Sequence, residues 1–336
     1  MADRPVTIYD VAERAGVSIT TVSNALNQPS RVGAQTLEKV FGVIDELGFT
    51  PKAAAVSQAR KGVGRIGVLA PFTSYESFRT RLTGVLTACA GRHVEVVVFD
   101  LESAAGSLSP LLSSLPASGR LDGLLVMGVP LEDAMAERLS QRNLPTVLVD
   151  SFHRNFASVN IDDERGGYLA GEYLLGHGHR SFAFVSEQQV SLHSPLHLQG
   201  HKRLAGFVKA IVDAGLPEDA LRHVETSHDI AGGRRAVEEM QTWDALPDAV
   251  FAHSDDLAAG VLAGLRDAGI SVPGDVAVMG YDDGSLAEAL DITTVRQHLA
   301  ETGSAGADLL LDAIATRTTG PRQLLLPVEV VPRLTA

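Results

Sequence analysis

The sequence predicts a small all-α head, a short segment that could form a helix, and a larger α/β core of two lobes. The first 50 residues show helical apolar spacing broken by glycines, whereas the chain from residue 65 alternates short apolar runs with amphipathic segments. With 336 residues, 45% of them hydrophobic, the chain is long enough for several cores. The predicted bounds are 1–50 for the head, 51–64 for the hinge and linker, and 65–336 for the core.

Charge separates these parts further. The chain has a net charge of −13. Residues 1–65 carry eight Lys/Arg and six Asp/Glu, whereas residues 66–336 carry twenty Lys/Arg and thirty-five Asp/Glu. An acidic body repels nucleic acid, but a nearly neutral head can still contact phosphates. The N-terminus MADRPVTIYD lacks the apolar core of a signal peptide and no apolar run approaches 18 residues, so a cytoplasmic protein with no membrane contact is expected. The single Cys89 lies in an apolar helical pattern and is predicted to be a buried, inert thiol.

The head is predicted to contain three helices, at 8–15, 19–26 and 35–47. Gly16 breaks the first helix, and Ser18 is a typical cap for the second. A short helix, a tight turn with glycine and a capped second helix form a helix-turn-helix, whose second helix enters the DNA major groove.

Spacing assigns the two faces of that second helix. Its inward side chains are Val22, Ala25 and Leu26. Its outward side chains, which can read base edges, are Ile19, Thr20, Ser23 and Asn24. The alternative is an ordinary helical hairpin with a polar face.

The segment PKAAAVSQAR at 51–60 opens with a proline suited to a helix start but has no strong apolar stripe, so it could form a helix only with outside support. Gly62, Gly64 and Gly67 then have the spacing of a dinucleotide-binding fingerprint. They precede a strand rather than follow one, which argues against nucleotide binding. No cofactor is predicted.

Short apolar runs in the core predict parallel strands buried on both faces, as in doubly wound α/β folds. The runs are RIGVLAP, VEVVVFD, GLLVMG, PTVLVD, SFAFVSE, DAVFAH and VAVMGYD, with LLLPVEVVPR as one final strand. The predicted lobes are about 65–161 with 297–322, and 162–296 with 323–336. Two lobes joined by several chain crossings favour a ligand cleft between them.

Longer motifs resemble the lactose-repressor (LacI/GalR) family over the whole chain. They are TIYDVAERAGVSITTVSNALN, VGAQTLEKVFGVIDELGFTPKAAA, GHGHRSFAFV, RLAGF, SDDLAAG, VPGDVAVMGYDD and TTVRQ, in the family's order. The resemblance implies a periplasmic-binding-protein-like core and a homodimeric regulator, with repression as the expected mode. Its implied partners are a palindromic operator in double-stranded DNA and a small sugar-like or other polar effector.

The resemblance also implies which head residues contact DNA. Base contacts fall on Ile19, Thr20 and Asn24; the lactose repressor has arginine at the last place, so a different operator base is expected. Phosphate contacts fall on Tyr9, Ser18, Ser23, Asn27, Arg31 and Thr36.

In the family, the segment matching 51–60 is a hinge helix that folds on DNA and enters the minor groove. The DNA contacts that this implies here are Lys52, Ala55 and Gln58. Gln58 replaces a leucine that wedges open the central base step, which puts the kink in question. Ala55 or Val56 in a shifted register, or a less bent operator, are the alternatives left open.

Polar residues at strand ends match the family's effector positions. These are Arg203, Asp255 and Asp282, a set suited to sugar hydroxyls, because carboxylates accept and guanidinium donates. The first lobe is expected to add Pro71, Tyr75, Ser77 and Phe78, with an aromatic ring for stacking. For each aspartate, a helix cap is the alternative.

Other motifs suggest no chemistry. His193, His197 and His201 have a metal-like spacing, but Pro195 interrupts the helix, so no metal is predicted. His177 and His179 lie in a turn, and no catalytic motif occurs, so no enzyme is expected.

Three alternatives remain at this stage. The first, a solute-binding protein of a transporter, is disfavoured by residues 1–60 and by the lack of a signal peptide. The second is a regulator controlled by a protein partner, and the third is an enzyme on a doubly wound fold.

Overall fold

The computed structural model describes residues 6–27, 29–49, 64–101, 121–188, 199–317 and 320–336. The predicted three-helix head is confirmed, with α1 (Ile8–Ala15), α2 (Ile19–Asn27) and α3 (Ala34–Leu47). A 3-10 turn at Pro29–Arg31 leads into α3. The predicted hinge helix at 51–60 lies outside the described residues.

Local signals explain the helix ends of the head. Gly16 ends α1 at φ +61°, a left-handed conformation that glycine adopts without strain, and its N–H bonds back to the Glu13 carbonyl. The Ser18 hydroxyl accepts a hydrogen bond from the Thr21 N–H at 3.0 Å and so caps α2, as predicted. The head core includes Val22 and Phe41, both fully buried.

The first sheet has the strand order β11-β5-β4-β3-β1-β2. The strands are β1 (Gly64–Ala70), β2 (Val94–Asp100), β3 (Gly123–Met127), β4 (Thr146–Val149), β5 (Ala157–Ile161) and β11 (Gln323–Leu326). The strand pairs β1–β2, β1–β3, β3–β4 and β4–β5 are all parallel. Three helices connect or precede strands of this sheet along the chain: α4 (Glu76–Cys89) follows β1, α5 (Asp133–Gln141) follows β3, and α11 (Leu299–Thr316) precedes β11. Cys89 on α4 is buried, as predicted.

The second sheet has the order β12-β10-β9-β8-β6-β7. Its strands are β6 (Phe182–Glu187), β7 (Leu221–Thr226), β8 (Ala249–Ala252), β9 (Ala277–Asp282), β10 (Thr293–Arg296) and β12 (Glu329–Val331). All pairs are parallel except β10 with β12. Its helices are α6 (Asp163–Gly176), α7 (Gln199–Asp213), α8 (Ile230–Met240), α9 (Asp255–Asp267) and α10 (Ser285–Ala289).

Strand prediction failed for four segments. β5, β7 and β10 were not predicted, because ASVNI, LRHVET and TTVR carry polar residues that interrupt an apolar run. The run LLLPVEVVPR was predicted as one strand, which is wrong. It forms β11 and β12 in different sheets, because Pro327 between them has no N–H to continue a ladder.

The chain divides into two compact units. The first comprises Met1–Val159 and Gly303–Gln323, and the second comprises Asn160–Thr302 and Leu324–Ala336. Each has its own sheet and buried core. None of the described helices has the length and apolarity needed to span a bilayer.

The head contacts α5 within the first unit. Asp45 on α3 accepts from Arg138 Nε at 2.9 Å and from Arg142 Nη2 at 3.0 Å. Arg142 also donates to the Phe49 carbonyl oxygen at 2.8 Å. Arginine suits this place because its planar fork can serve a carboxylate and a backbone carbonyl together.

Helices α6 and α7 pack with backbone against backbone, which determines the position of Arg203 in the second unit. A Cβ on Gly167 of α6 would come within 1.9 Å of the Arg203 carbonyl oxygen. A Cβ on Gly206 of α7 would come equally close, 1.9 Å, to the Glu164 carbonyl oxygen. Only glycine allows this approach, so the two helices cannot separate without moving Arg203.

We expect Gly206→Ala to lower the free energy of unfolding by at least about 2 kcal/mol, because the new methyl group would force the two helix backbones apart. Gly176→Ala is the matched control. It lies on the exposed end of α6, where a Cβ would meet nothing within 4 Å. Urea unfolding of both variants measures the difference; equal stability of the two would contradict the proposed packing constraint.

Candidate DNA interface and ligand site

The second helix of the head, α2, has one buried and one accessible face. Val22 and Ala25 are fully buried, and Leu26 is 8% exposed, as predicted. Ile19, on the first turn of this helix, is 42% exposed. The first turn of α2 is therefore capped and carries an accessible apolar side chain.

The other predicted DNA residues lie at several places on the head. Tyr9 on α1, Ser18 and Thr20 at the start of α2, and Arg31 in the 3-10 turn are exposed. Ser23, Asn24 and Thr36 are half-buried. The outward side chains of α2 are therefore less exposed at Ser23 and Asn24 than on the first turn. Asn27 ends α2. The predicted hinge contacts Lys52, Ala55 and Gln58 lie outside the described residues.

In the first unit, the residues predicted to contact an effector follow β1. Pro71 and Phe78 are buried, whereas Tyr75 and Ser77 are half-buried. The Tyr75 and Phe78 rings meet edge to face with centroids 5.8 Å apart. The Phe78 ring also lies so close to Gly128 that a Cβ there would come within 2.1 Å of it. The glycine after β3 therefore makes room for the aromatic ring.

In the second unit, Arg203 is held from three sides. Its Nε donates to Asp163 Oδ1 at 2.8 Å, and its Nη1 donates to the His253 carbonyl oxygen at 2.6 Å. The guanidinium carbon lies 3.7 Å from the centroid of the Tyr281 ring. Arg203 and Asp163 are 5% and 3% exposed, so the charge is buried but paired.

Asp255 is the first residue of α9 and is 4% exposed. Its Oδ1 accepts from Thr294 Oγ1 at 2.7 Å and its Oδ2 accepts from the Gly284 N–H at 2.8 Å. Burial, and then the nearby Asp282 carboxylate, raise the pKa of Asp255 well above its ordinary value. The cap of α9 is Ser254, whose Oγ accepts from the Leu257 N–H, so the cap alternative does not apply to Asp255.

Asp282 ends β9 in an unusual conformation, with φ +124°. Gln297 Nε2, from a side chain that is 1% exposed, donates to Asp282 Oδ1. The next residue, Asp283, also has a positive φ of 58° and accepts from Arg296 Nε and Arg333 Nη2, each at 2.6 Å. These contacts fix the backbone that carries Asp282.

The structure brings together a second polar group, which the sequence analysis did not predict. Glu187, His228 and His253 follow or end β6, β7 and β8, and one ligand atom from each lies within 4.8 Å of the others. Nothing in their sequence spacing indicates this cluster, because it depends on the order of the strands. His201, from the triplet considered earlier, is exposed on α7, and His193 and His197 lie outside the described residues.

Two other sequence motifs are structural. His177 follows α6, and its ring stacks on Tyr173 with centroids 4.2 Å apart. Of the glycines in fingerprint spacing, Gly64 and Gly67 lie within β1, and a Cβ on Gly67 would come within 2.6 Å of Leu121. Gly62 lies outside the described residues. Gly64 therefore begins β1 and Gly67 lies inside it, so these two glycines do not follow a strand, as predicted.

Comparison with known proteins identifies the class. Residues 7–52 match the family described as bacterial regulatory proteins, lacI family, and residues 171–336 match the periplasmic binding protein-like domain. The chain is 33% identical to the HTH-type transcriptional repressor PurR of Erwinia tasmaniensis, over 98% of this chain and 95% of that protein.

Solved structures agree with these matches. A LacI family regulator from Enterococcus faecium with bound ribose aligns with TM-score 0.72 and 30% identity, over 81% of this chain and 98% of that one. The Lac repressor dimer bound to operator and the anti-inducer ONPF aligns with TM-score 0.69 and 27% identity, over 99% of both chains.

The fold and these matches define a helix-turn-helix transcription regulator with a periplasmic-binding-protein-like core. The chain belongs to the LacI family. The head match decides against a transporter's solute-binding protein.

We expect Asp283→Asn to destabilise the protein by about 2 kcal/mol at pH 7, because Arg333 and Arg296 lose their shared carboxylate. Burial alone would raise the pKa of Asp283, but hydrogen bonds from the two arginines outweigh it and the pKa is lowered. The stabilisation is therefore present above the unfolded-state pKa and is lost as the pH falls below about 4.

Urea unfolding at pH 7, 5 and 3.5 measures this dependence. The gap between wild type and Asp283→Asn should be constant down to pH 5 and shrink below it. Asp244→Asn, at an exposed position, is the control and should show no gap. A gap for Asp283→Asn that persists undiminished at pH 3.5 would rule out the ion pairs as its source.

Proposed function

We propose that the protein is a homodimeric, cytoplasmic repressor whose affinity for a palindromic operator is controlled by a small polar effector. The observation that carries this proposal is that one chain contains both a helix-turn-helix head and a candidate ligand site. A capped, accessible α2 lies on the head, and buried, hydrogen-bonded polar residues lie at the helix starts and strand ends of the second unit. On this proposal the protein acts by binding and not by turnover.

The head reads DNA through the accessible face of α2. Ile19 and Thr20 on its first turn are exposed, which suits a helix that enters the major groove by its N-terminus. Asn24 lies one helical turn after Thr20 and offers the amide that pairs with adenine. Phosphate contacts come from Tyr9, Ser18 and the other predicted head residues, and the hinge residues Lys52, Ala55 and Gln58 contact the minor groove.

Effector binding uses the strand ends of the second unit. Asp282 is the direct carboxylate contact, and Gln297 orients it. Asp255 has a positioning role, because both of its oxygens already accept hydrogen bonds from Thr294 and Gly284. Arg203 contributes the guanidinium of the site, held in place by Asp163.

In the first unit, the residues proposed for effector contact are Pro71, Tyr75, Ser77 and Phe78. Hydroxyl-rich ligands fit this donor and acceptor set. The named relatives include one structure with ribose and one with ONPF, which supports sugars as the first ligands to test.

Operator and effector affinities are then coupled. An effector that binds one arrangement of the two lobes more tightly shifts the population toward it, and the operator affinity changes by the same factor in return. Whether the effector releases the repressor or recruits it is decided by which arrangement it favours.

Asn24→Ala tests the DNA-reading role. We expect a loss of roughly 5- to 150-fold in operator affinity, because a bidentate base contact contributes about 1–3 kcal/mol. The operator is selected by the wild-type protein from a randomised library and measured by fluorescence anisotropy at fixed salt. Gln241→Ala, exposed in the second unit, should bind as wild type. Selection of no sequence by the wild type, or unchanged specificity in Asn24→Ala, would refute the assignment.

Thermal-shift screening of pentoses, hexoses, polyols and nucleobases tests the ligand site. We expect a ligand to raise the melting temperature of wild type, since binding to the folded state alone stabilises it. Asp282→Ala should abolish that rise, and Asp244→Asn should retain it. A ligand whose effect survives Asp282→Ala binds elsewhere and contradicts the proposed site.

A further inference from the structure

Glu187, His228 and His253 form a compact donor set at the carboxyl ends of three adjacent parallel strands, β6, β7 and β8. The His228 Nδ1 and Glu187 Oε2 atoms are 3.9 Å apart. The two imidazole centroids are 5.2 Å apart, and the ring planes are inclined at 78°, so the rings are not stacked on each other. The three side chains thus converge on one small volume.

The size of this volume suits a metal ion. Since all three ligand atoms lie within 4.8 Å of one another, one point lies within about 2.8 Å of each of them. Zinc binds histidine nitrogen and carboxylate oxygen at about 2.0–2.2 Å. An inward shift of well under 1 Å per donor, within reach of small side-chain rotations, would complete three bonds.

The chemistry of the donors also suits a metal. Two imidazoles and one carboxylate are ligand types that Zn²⁺ binds in proteins. Arg203, a cationic side chain near His228 and His253, is paired with Asp163 at 2.8 Å.

The buried ring nitrogen of His253 is a second, independent observation in favour of a bound ion. Its Nδ1 is buried, yet it makes no hydrogen bond within the part of the chain that the structure describes. The main chain fixes its position, because the His253 N–H donates to the Val185 carbonyl at 2.9 Å. A buried polar atom of this kind is costly unless a partner satisfies it, and a metal ion would.

We propose that Glu187, His228 and His253 bind a divalent first-row transition-metal ion of the Zn²⁺ type. Two imidazoles and one carboxylate leave at least one coordination position for water or for an oxygen atom of a small ligand. The proposal rests on these three side chains and does not depend on the regulator function.

The test uses the full chain without an affinity tag, stripped with chelator and titrated with ZnCl₂ by calorimetry. We expect one equivalent to bind with a dissociation constant below about 10 μM. His228→Gln and Glu187→Gln should each weaken binding by at least about tenfold, because each removes one of three ligands. Co²⁺ in the same site should give the visible absorption of a four- or five-coordinate ion.

His201→Gln, an exposed histidine on α7, is the control for adventitious binding and should bind Zn²⁺ as wild type. Circular dichroism checks that each variant is folded. Glu187 has the most exposed side chain of the three, at 26%, so its variant decides the question if a histidine variant does not fold. Absence of binding in wild type, or wild-type affinity in Glu187→Gln and His228→Gln, would overturn the proposal.

Discussion

The buried ion pair between Asp163 and Arg203 fixes the arrangement of the second unit. A guanidinium that is 5% exposed is tolerated only when its charge and its N–H groups are satisfied, here by Asp163 and by the His253 carbonyl. These contacts join the start of α6, the first turns of α7 and the end of β8. The glycine contacts between α6 and α7 hold the pair in register.

Hydrogen bonds hold three aspartates at the strand ends of the same unit. Asp255 is fully bonded inside the unit and ties the start of α9 to Gly284 and to β10. Asp283 ties the backbone after β9 to Arg296 and Arg333. Asp282 directly precedes the anchored Asp283 and accepts a hydrogen bond from Gln297, which explains how a residue with φ +124° is maintained at the end of a strand.

Much of the head and of the strand pattern could be predicted from the sequence. The helix bounds, the Gly16 break, the Ser18 cap and the buried face of α2 depend on contacts within a few residues, and a local pattern encodes them. The conversion of LLLPVEVVPR into β11 and β12 was missed, although Pro327 was a local signal for it. β5, β7 and β10 were missed because they contain no continuous apolar run and are stabilised by pairing with neighbouring strands.

The sequence by itself determined the order of the elements, the family and the residue types offered at the strand ends, since these follow from local periodicity and motif order. Only the tertiary structure decided which of them meet. Asp255 turned inward to Thr294, and Glu187, His228 and His253 came together from positions 187, 228 and 253. The physical reason is that strand order and helix packing, which no short stretch specifies, set every distance between residues far apart in the chain.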